Sequence, residues 1–276
     1  MDNVNDFFAT LSSCLWGWPM IILLLGTHIF LTIRLRFPQR KIITAIRLSV
    51  QRDKSQKGDV SQFGALATAL AATIGTGNII GVATAVALGG PGAVFWCWLT
   101  GVFGISTKYS EALLAIKYRV KSKRGTMQGG PMYTLERGLG WRKMGILFAL
   151  FTAIAAFGIG CTVQANAIST IMHASYGIST EVSGGVLMLL AAAVIIGGVR
   201  SISKVCSMLV PFMALLYVVG CVYILFVNAS YVTPALKLIV GSAFSPEAAG
   251  GGFAGGSVIM AARYGIARGL FSNESG

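Results

Sequence analysis

Charge is scarce in this chain, and acidic charge most of all: 11% of the 276 residues are charged, nine of them Asp or Glu, and there are only two His besides. A soluble domain carries roughly 25%. With so few titratable groups the chain offers no Ser/His/Asp set, no His-rich metal cluster and no paired carboxylates inside its apolar segments, so an enzyme reading lacks support. Cysteine excludes two more classes. The five (Cys14, Cys97, Cys161, Cys206, Cys221) are odd in number, all but Cys14 lie inside apolar runs, and none is spaced C-x-x-C. They read as small buried hydrophobes, with neither a disulfide framework nor a metal site. The lone His28 and His173 have no partners at ligand spacing and read as structural. The opening M-D-N-V-N-D is acidic and lacks the positive n-region of a cleavable signal, so the first apolar segment is expected to stay as a membrane span.

What the chain has in quantity is apolar surface, with 55% hydrophobic residues, and a formal charge of +13. This composition describes a polytopic membrane protein. A strong positive charge also suits nucleic acid, but the placement of the basic residues excludes that partner. Eight Lys and Arg fall in residues 34–57, eight in 117–143 and two at Arg200 and Lys204, while the short linkers 89–92 and 171–182 have none. Basic loops alternating with loops that lack Lys and Arg follow the positive-inside rule, which places the basic ones in the cytoplasm.

The expected spans are residues 15–33, 63–88, 93–116, 144–171, 184–199 and 205–227, with a seventh opening at 257–276. Together they make one transmembrane domain with its N-terminus outside. Trp16, Trp18 and Pro19, and again Trp96 and Trp98, stand at outer ends, where aromatic rings favour the interface. In the first basic loop, Ile42, Ile43 and Ile46 interleave with Arg40 to Arg47; a short interfacial helix and a solvated loop both fit. Lys108 and Glu111, three apart, share a helix face and can pair. G-G-P-M-Y-T-L-E-R (129–137) predicts a short amphipathic helix, and 228–246 reads as an external segment. The run A-A-G-G-G-F-A-G-G (248–256) is too flexible to propagate a helix.

The span at 63–88 is long enough for a bilayer, which takes about 20 helical residues, yet its centre is badly built for a helix. Ala71 to Gly81 reads A-A-T-I-G-T-G-N-I-I-G, with Gly75, Gly77 and Gly81 beside Thr73, Thr76 and Asn78. Each interior Gly weakens a helix by about 1 kcal/mol against Ala, and Asn competes for its own backbone. A discontinuous helix follows. Irregular backbone at membrane depth persists where protein or a polar cavity satisfies its N–H and C=O groups, which makes this a candidate binding site. Helix packing through the Gly77-x-x-x-Gly81 pair is the competing reading. A dinucleotide fingerprint is excluded, since three residues rather than two separate Gly77 from Gly81 and no strand precedes. A second polar insertion, G-C-T-V-Q-A-N (160–166), lies in the span at 144–171, where Gln164 is the site candidate and Asn166 suits a helix–helix bond.

The words A-T-I-G-T-G-N-I-I-G-V-A-T-A (72–85), G-G-P-M-Y (129–133) and R-G-L-F-S-N-E (268–274) together resemble the alanine or glycine:cation symporter family, over essentially the whole chain from the first span onward. Members carry nearly twice as many spans. The resemblance implies an all-α polytopic protein of the leucine-transporter-type inverted-repeat fold, here one extra N-terminal helix, the first five-helix repeat and the start of the second. The chain therefore looks C-terminally truncated, and Ser275 departs from the usual Ala. It further implies sodium-coupled symport of small neutral amino acids, alanine or glycine, across a bacterial-type plasma membrane. Sodium is then the coupling ion, no other cofactor is needed, and the bilayer is the surrounding partner. A non-transporting remnant or assembly subunit is the alternative, since one repeat cannot close a site shared by two. The amides of Thr76 and Gly77 would take the substrate carboxylate and the Thr73 carbonyl its ammonium, with Gln164 reaching across. Carbonyls of Ala71 and Ile74, with the Asn78 side-chain oxygen, would hold sodium.

Overall fold

The computed structural model describes residues 17–51, 58–123, 125–244 and 258–273, together with residues 6, 7, 10, 11, 14 and 15 ahead of them. Trp16, the glycine-rich run 248–256 and the chain end from Glu274 lie outside the described residues. The described residues are helical almost throughout. In order come α1 (Trp18–Arg34), a 3-10 turn (Pro38–Lys41), α2 (Ile42–Val50), α3 (Gln62–Thr73), α4 (Thr76–Gly89) and α5 (Gly92–Lys117). A hairpin of β1 (Val120–Lys121) and β2 (Met127–Gln128) precedes α6 (Pro131–Gly138) and α7 (Arg142–Ala155). A π-helical turn (Ala156–Thr162) joins α7 to α8 (Val163–Tyr176), and α9 (Thr180–Ile195), α10 (Gly198–Val227), α11 (Ala229–Phe244) and α12 (Val258–Asn273) complete the chain.

Local chemistry sets these boundaries. Pro19 enters at the first turn of α1, where its missing N–H costs nothing, and Arg34 sits in the last turn against the negative end of the helix dipole. Ser61 caps α3 by accepting the Gly64 N–H at 3.0 Å, and Ser179 caps α9 by accepting from Val182. Glu181, fully solvated in the first turn of α9, has its carboxyl held below the usual range by its own backbone amide and by the Ser179 and Thr180 hydroxyls.

Three segments take a form that the sequence reading did not specify. Residues 229–244 form α11, because apolar side chains continue past Asn228 and Pro234 does not stop the helix. Arg200 and Lys204 lie in the first two turns of α10: α9 ends at Ile195, and Gly198, with φ of 68°, completes the reversal within a few residues. The basic loop after α5 holds the hairpin, with Val120 opposite Gln128 and Lys121 opposite Met127, anchored by the Asp59 carboxylate accepting the Met127 N–H at 2.8 Å.

The chain divides into two compact units. In the first (1–42, 77–110, 219–276), Ile21 of α1 meets Ala262 and Ile266 of α12, with Leu24, Leu25 and Trp96 around them. A polar ladder ties α1 to α5. His28 Nδ1 lies 2.7 Å from Thr107 Oγ1, Thr32 Oγ1 lies 2.8 Å from Ser106 Oγ, and the Gln39 amide donates to the Val102 carbonyl at 2.9 Å. Such bonds between membrane helices contribute about 0.6–2 kcal/mol each. Gly265 of α12 lies against the Ala93 carbonyl and Gly269 against Thr100, so two glycines four apart let α12 approach α5 closely, and the Cys97 thiol donates to the Gly265 carbonyl at 3.0 Å.

In the second unit (43–76, 111–218), α6 folds onto α7 where Gly145 meets the Met132 carbonyl, and α3 meets α10 where Gly64 lies against the Ser203 hydroxyl. In both units large apolar side chains face outward along the long helices, among them Phe151, Leu189 and Phe212 of the second and Phe226 of the first, the last 82% exposed. At ~25 cal/mol per Å² such a surface is strongly unfavourable in water and is the normal lipid-facing side of a bilayer protein. Among the described residues Gln62–Gly89, Arg142–Tyr176 and Gly198–Val227 are long and apolar enough to span. The protein is an all-α integral membrane protein.

Candidate functional site

The weak centre of the 63–88 segment is broken in the structure. Helix α3 stops at Thr73; Ile74 takes φ −84° and ψ 86°, its N–H still closing onto the Leu70 carbonyl, and α4 starts at Thr76. Ile74 and Gly75 are therefore the two residues outside helix. Gly77, Asn78 and Gly81 lie within α4, and Ala71 and Thr73 in the last turn of α3. The Thr73 hydroxyl donates to the Ala69 carbonyl at 2.9 Å. A helix end leaves its last carbonyls, and a helix start its first amides, without partners in the same helix. Residues 70–79 thus bring the negative end of one helix and the positive end of another to consecutive positions in the chain.

Gln164 comes to this break. A β-carbon on Gly75 would stand 3.8 Å from both Nε2 and Oε1 of Gln164 and 3.9 Å from the Ala72 carbonyl oxygen. The primary amide of Gln164 thus lies beside the non-helical residue Gly75. Gln164 is half-buried in the first turn of α8, directly after the π turn, whereas Asn166, two positions on, is exposed. The π turn inserts an extra residue into the helical register and so sets the face on which Gln164 emerges. Within it the Thr162 hydroxyl donates to the Gly158 carbonyl.

Downstream of the break, in the first unit, Arg268 of α12 lies against Gly81. The point where a Gly81 β-carbon would stand is 3.5 Å from Arg268 Cδ and 3.7 Å from a terminal guanidinium nitrogen. Arg268 belongs to the R-G-L-F-S-N-E word but is missing from the residues singled out by sequence; its signal was a cation inside an apolar stretch, which at membrane depth marks function by default. Among the described residues no cluster of His, Cys, Asp and Glu is arranged for a transition metal.

Comparison with known proteins identifies the family. The sequence profile described as the sodium:alanine symporter family matches residues 1–276. An uncharacterized transporter of Haemophilus influenzae is 51% identical over 99% of this chain and 60% of its own length. The sodium/alanine symporter AgcS of Methanococcus maripaludis is 49% identical over 100% of the chain and 61% of its own, and the amino-acid carrier protein AlsT of Bacillus subtilis is 34% identical over 99% and 58%. The chain spans about three fifths of the length of these relatives. They are transporters and carriers, which sets the chain apart from enzymes. With an unwound apolar span, an amide drawn up to it and a profile match from end to end, this chain belongs to the sodium:alanine symporter family.

Proposed function

We propose that the protein carrying this chain is a secondary active transporter that couples sodium to the uptake of a small neutral amino acid, alanine or glycine, by alternating access around the break at Ile74 and Gly75. The observation that carries the reading is the Gln164 amide 3.8 Å from the side-chain position of Gly75 at an interrupted membrane helix. A zwitterion fits the electrostatics of such a break: its carboxylate is favoured by the first amides of α4, including Thr76 and Gly77, and its ammonium by the last carbonyls of α3, including Thr73. Sodium takes oxygen ligands, for which the Ala71 and Ile74 carbonyls and the Asn78 side-chain oxygen are the donors nearest in sequence. Gln164, which donates and accepts, bonds the amino acid from α8. The leucine-transporter-type repeat, with basic loops in the cytoplasm and the N-terminus outside a plasma membrane, supplies the framework in which the two sides open alternately. The names of the Methanococcus maripaludis and Bacillus subtilis relatives support amino-acid cargo, and the former supports sodium.

The test is reconstitution of the protein carrying this sequence into liposomes, with labelled alanine outside. Accumulation that requires an inward sodium gradient, and that Gln164→Ala lowers at least tenfold while Gln164→Glu lowers less, is the expected result. Accumulation indifferent to sodium, or unchanged in Gln164→Ala, overturns the reading.

A further inference from the structure

The second unit holds a cavity of about 310 Å³ between the start of α3 and the start of α10, lined by Asp59, Ser61, Arg200, Ser203, Lys204 and Ser207, with Val60 at its edge. We propose that it is a binding site for a phosphate group, separate from the transport site.

Four features converge on that chemistry. Arg200, Ser203, Lys204 and Ser207 recur at helical spacing along one face of α10, so two cations and two hydroxyls look into the same space. Neither α3 nor α10 carries an acidic residue in its first turn, the place where an anion is stabilising. Arg200 and Lys204 instead stand at the positive end of α10, an arrangement that repels unless an anion joins it. Asp59, the one carboxylate on the wall, has an oxygen engaged by the Met127 N–H at 2.8 Å, and among the described residues no ion pair is formed by Arg200 or Lys204. The hydroxyls complete the set: Ser61 uses its oxygen to accept the Gly64 N–H, which leaves its O–H to donate, and Ser203 is buried at the floor where α10 meets Gly64. The space holds roughly ten waters at the ~30 Å³ each occupies in the liquid, enough for a hydrated phosphate. An arginine fork, an ammonium and hydroxyl donors are the usual recognition set for phosphate oxygens.

An anionic phospholipid headgroup and free phosphate present the same group, and the experiment separates them. The purified protein in detergent with phosphatidylcholine is titrated with phosphatidylglycerol or with inorganic phosphate, reading thermal unfolding by intrinsic fluorescence and bound adducts by native mass spectrometry. Stabilisation by phosphatidylglycerol alone assigns a lipid headgroup, and stabilisation by inorganic phosphate assigns the free anion. In either case the double variant Arg200→Gln with Lys204→Gln weakens the response more than about tenfold, two charge-assisted bonds being lost, and Arg200→Lys with Lys204→Arg retains it. No response to either anion, an equal response in the Gln variant, or loss in the charge-conserving variant overturns the site. Alanine uptake is not part of the readout, so failure here leaves the transport reading intact.

Discussion

The amide of Gln164 faces Gly75 across 3.8 Å measured to the missing side chain, and Gly75 is one of the two residues that interrupt the apolar helix. A methyl at 3.8 Å makes an ordinary contact, but Ala also favours helix over Gly by about 1 kcal/mol and so works against the break. Gly75→Ala is expected to weaken alanine binding several-fold with unfolding temperature unchanged or raised. Gly75→Leu, which fills the space before Gln164, is expected to abolish sodium-dependent uptake while the protein still purifies as a monodisperse species. Normal uptake by the Leu variant would show that the amide does not act there.

Arg268 against Gly81 leads to a second expectation. Gly81→Ala places its methyl 3.5 Å from Arg268 Cδ, within normal contact, and is expected to be tolerated. Gly81→Leu displaces the guanidinium. Uptake by Gly81→Leu and by Arg268→Gln should fall together, at least tenfold, and the double variant should be no worse than either single one. Additive losses would mean that the two residues act separately.

Gly265 concerns stability more than function. A β-carbon there would overlap the Ala93 carbonyl, and the neighbour is backbone that cannot rotate away. Overpacking of this kind costs typically 1–3 kcal/mol. Gly265→Ala is expected to lower the unfolding temperature in detergent, whereas Ala at Gly101, which has open space, should leave it unchanged.

Glu181 provides a pH signature outside the spans. Its carboxyl is depressed in the folded protein, so the bonds it makes to its own amide, Ser179 and Thr180 stabilise the start of α9 above the ordinary carboxylate range, about pH 4.3, and are lost as pH falls through the lower folded value. Hydrogen exchange in residues 180–184 should be flat from neutral pH down to about 5, allowing for intrinsic rates. Protection should then drop below about 4, with the drop absent in Glu181→Gln. Equal profiles for the two proteins would remove the effect.

How much of this was legible in advance differs by kind of residue. Gly75 announced itself, because a glycine between threonines in an apolar run is a local defect that any neighbourhood inherits. Gly77 and Gly81, carrying the same local signal, lie in helix. Gly81 instead faces Arg268, some 190 positions away in sequence, at ordinary contact distance. Gln164 was legible as a polar residue that lipid would not tolerate, and the family resemblance already had it reaching across to the break; that Gly75 is the residue it meets was not legible, since the π turn that sets its direction leaves no pattern in an apolar stretch. The helix at 229–244 was not specified by a reading that placed 228–246 outside and named no element there; in the structure its Ser242 and Ala243 pack against Gly92.

The sequence by itself determined the solvent, the family and the weak point of the 63–88 segment, since hydropathy, charge placement and glycine content act locally and additively along the chain. Only the tertiary structure decided which of the three glycines breaks the helix, that Gln164 and Arg268 are the side chains brought to them, and that Arg200 and Lys204 turn from loop charges into the wall of a cavity. Those outcomes depend on contacts between residues far apart in sequence, whose energies are set by close approach of backbones and leave no periodic trace in either partner alone.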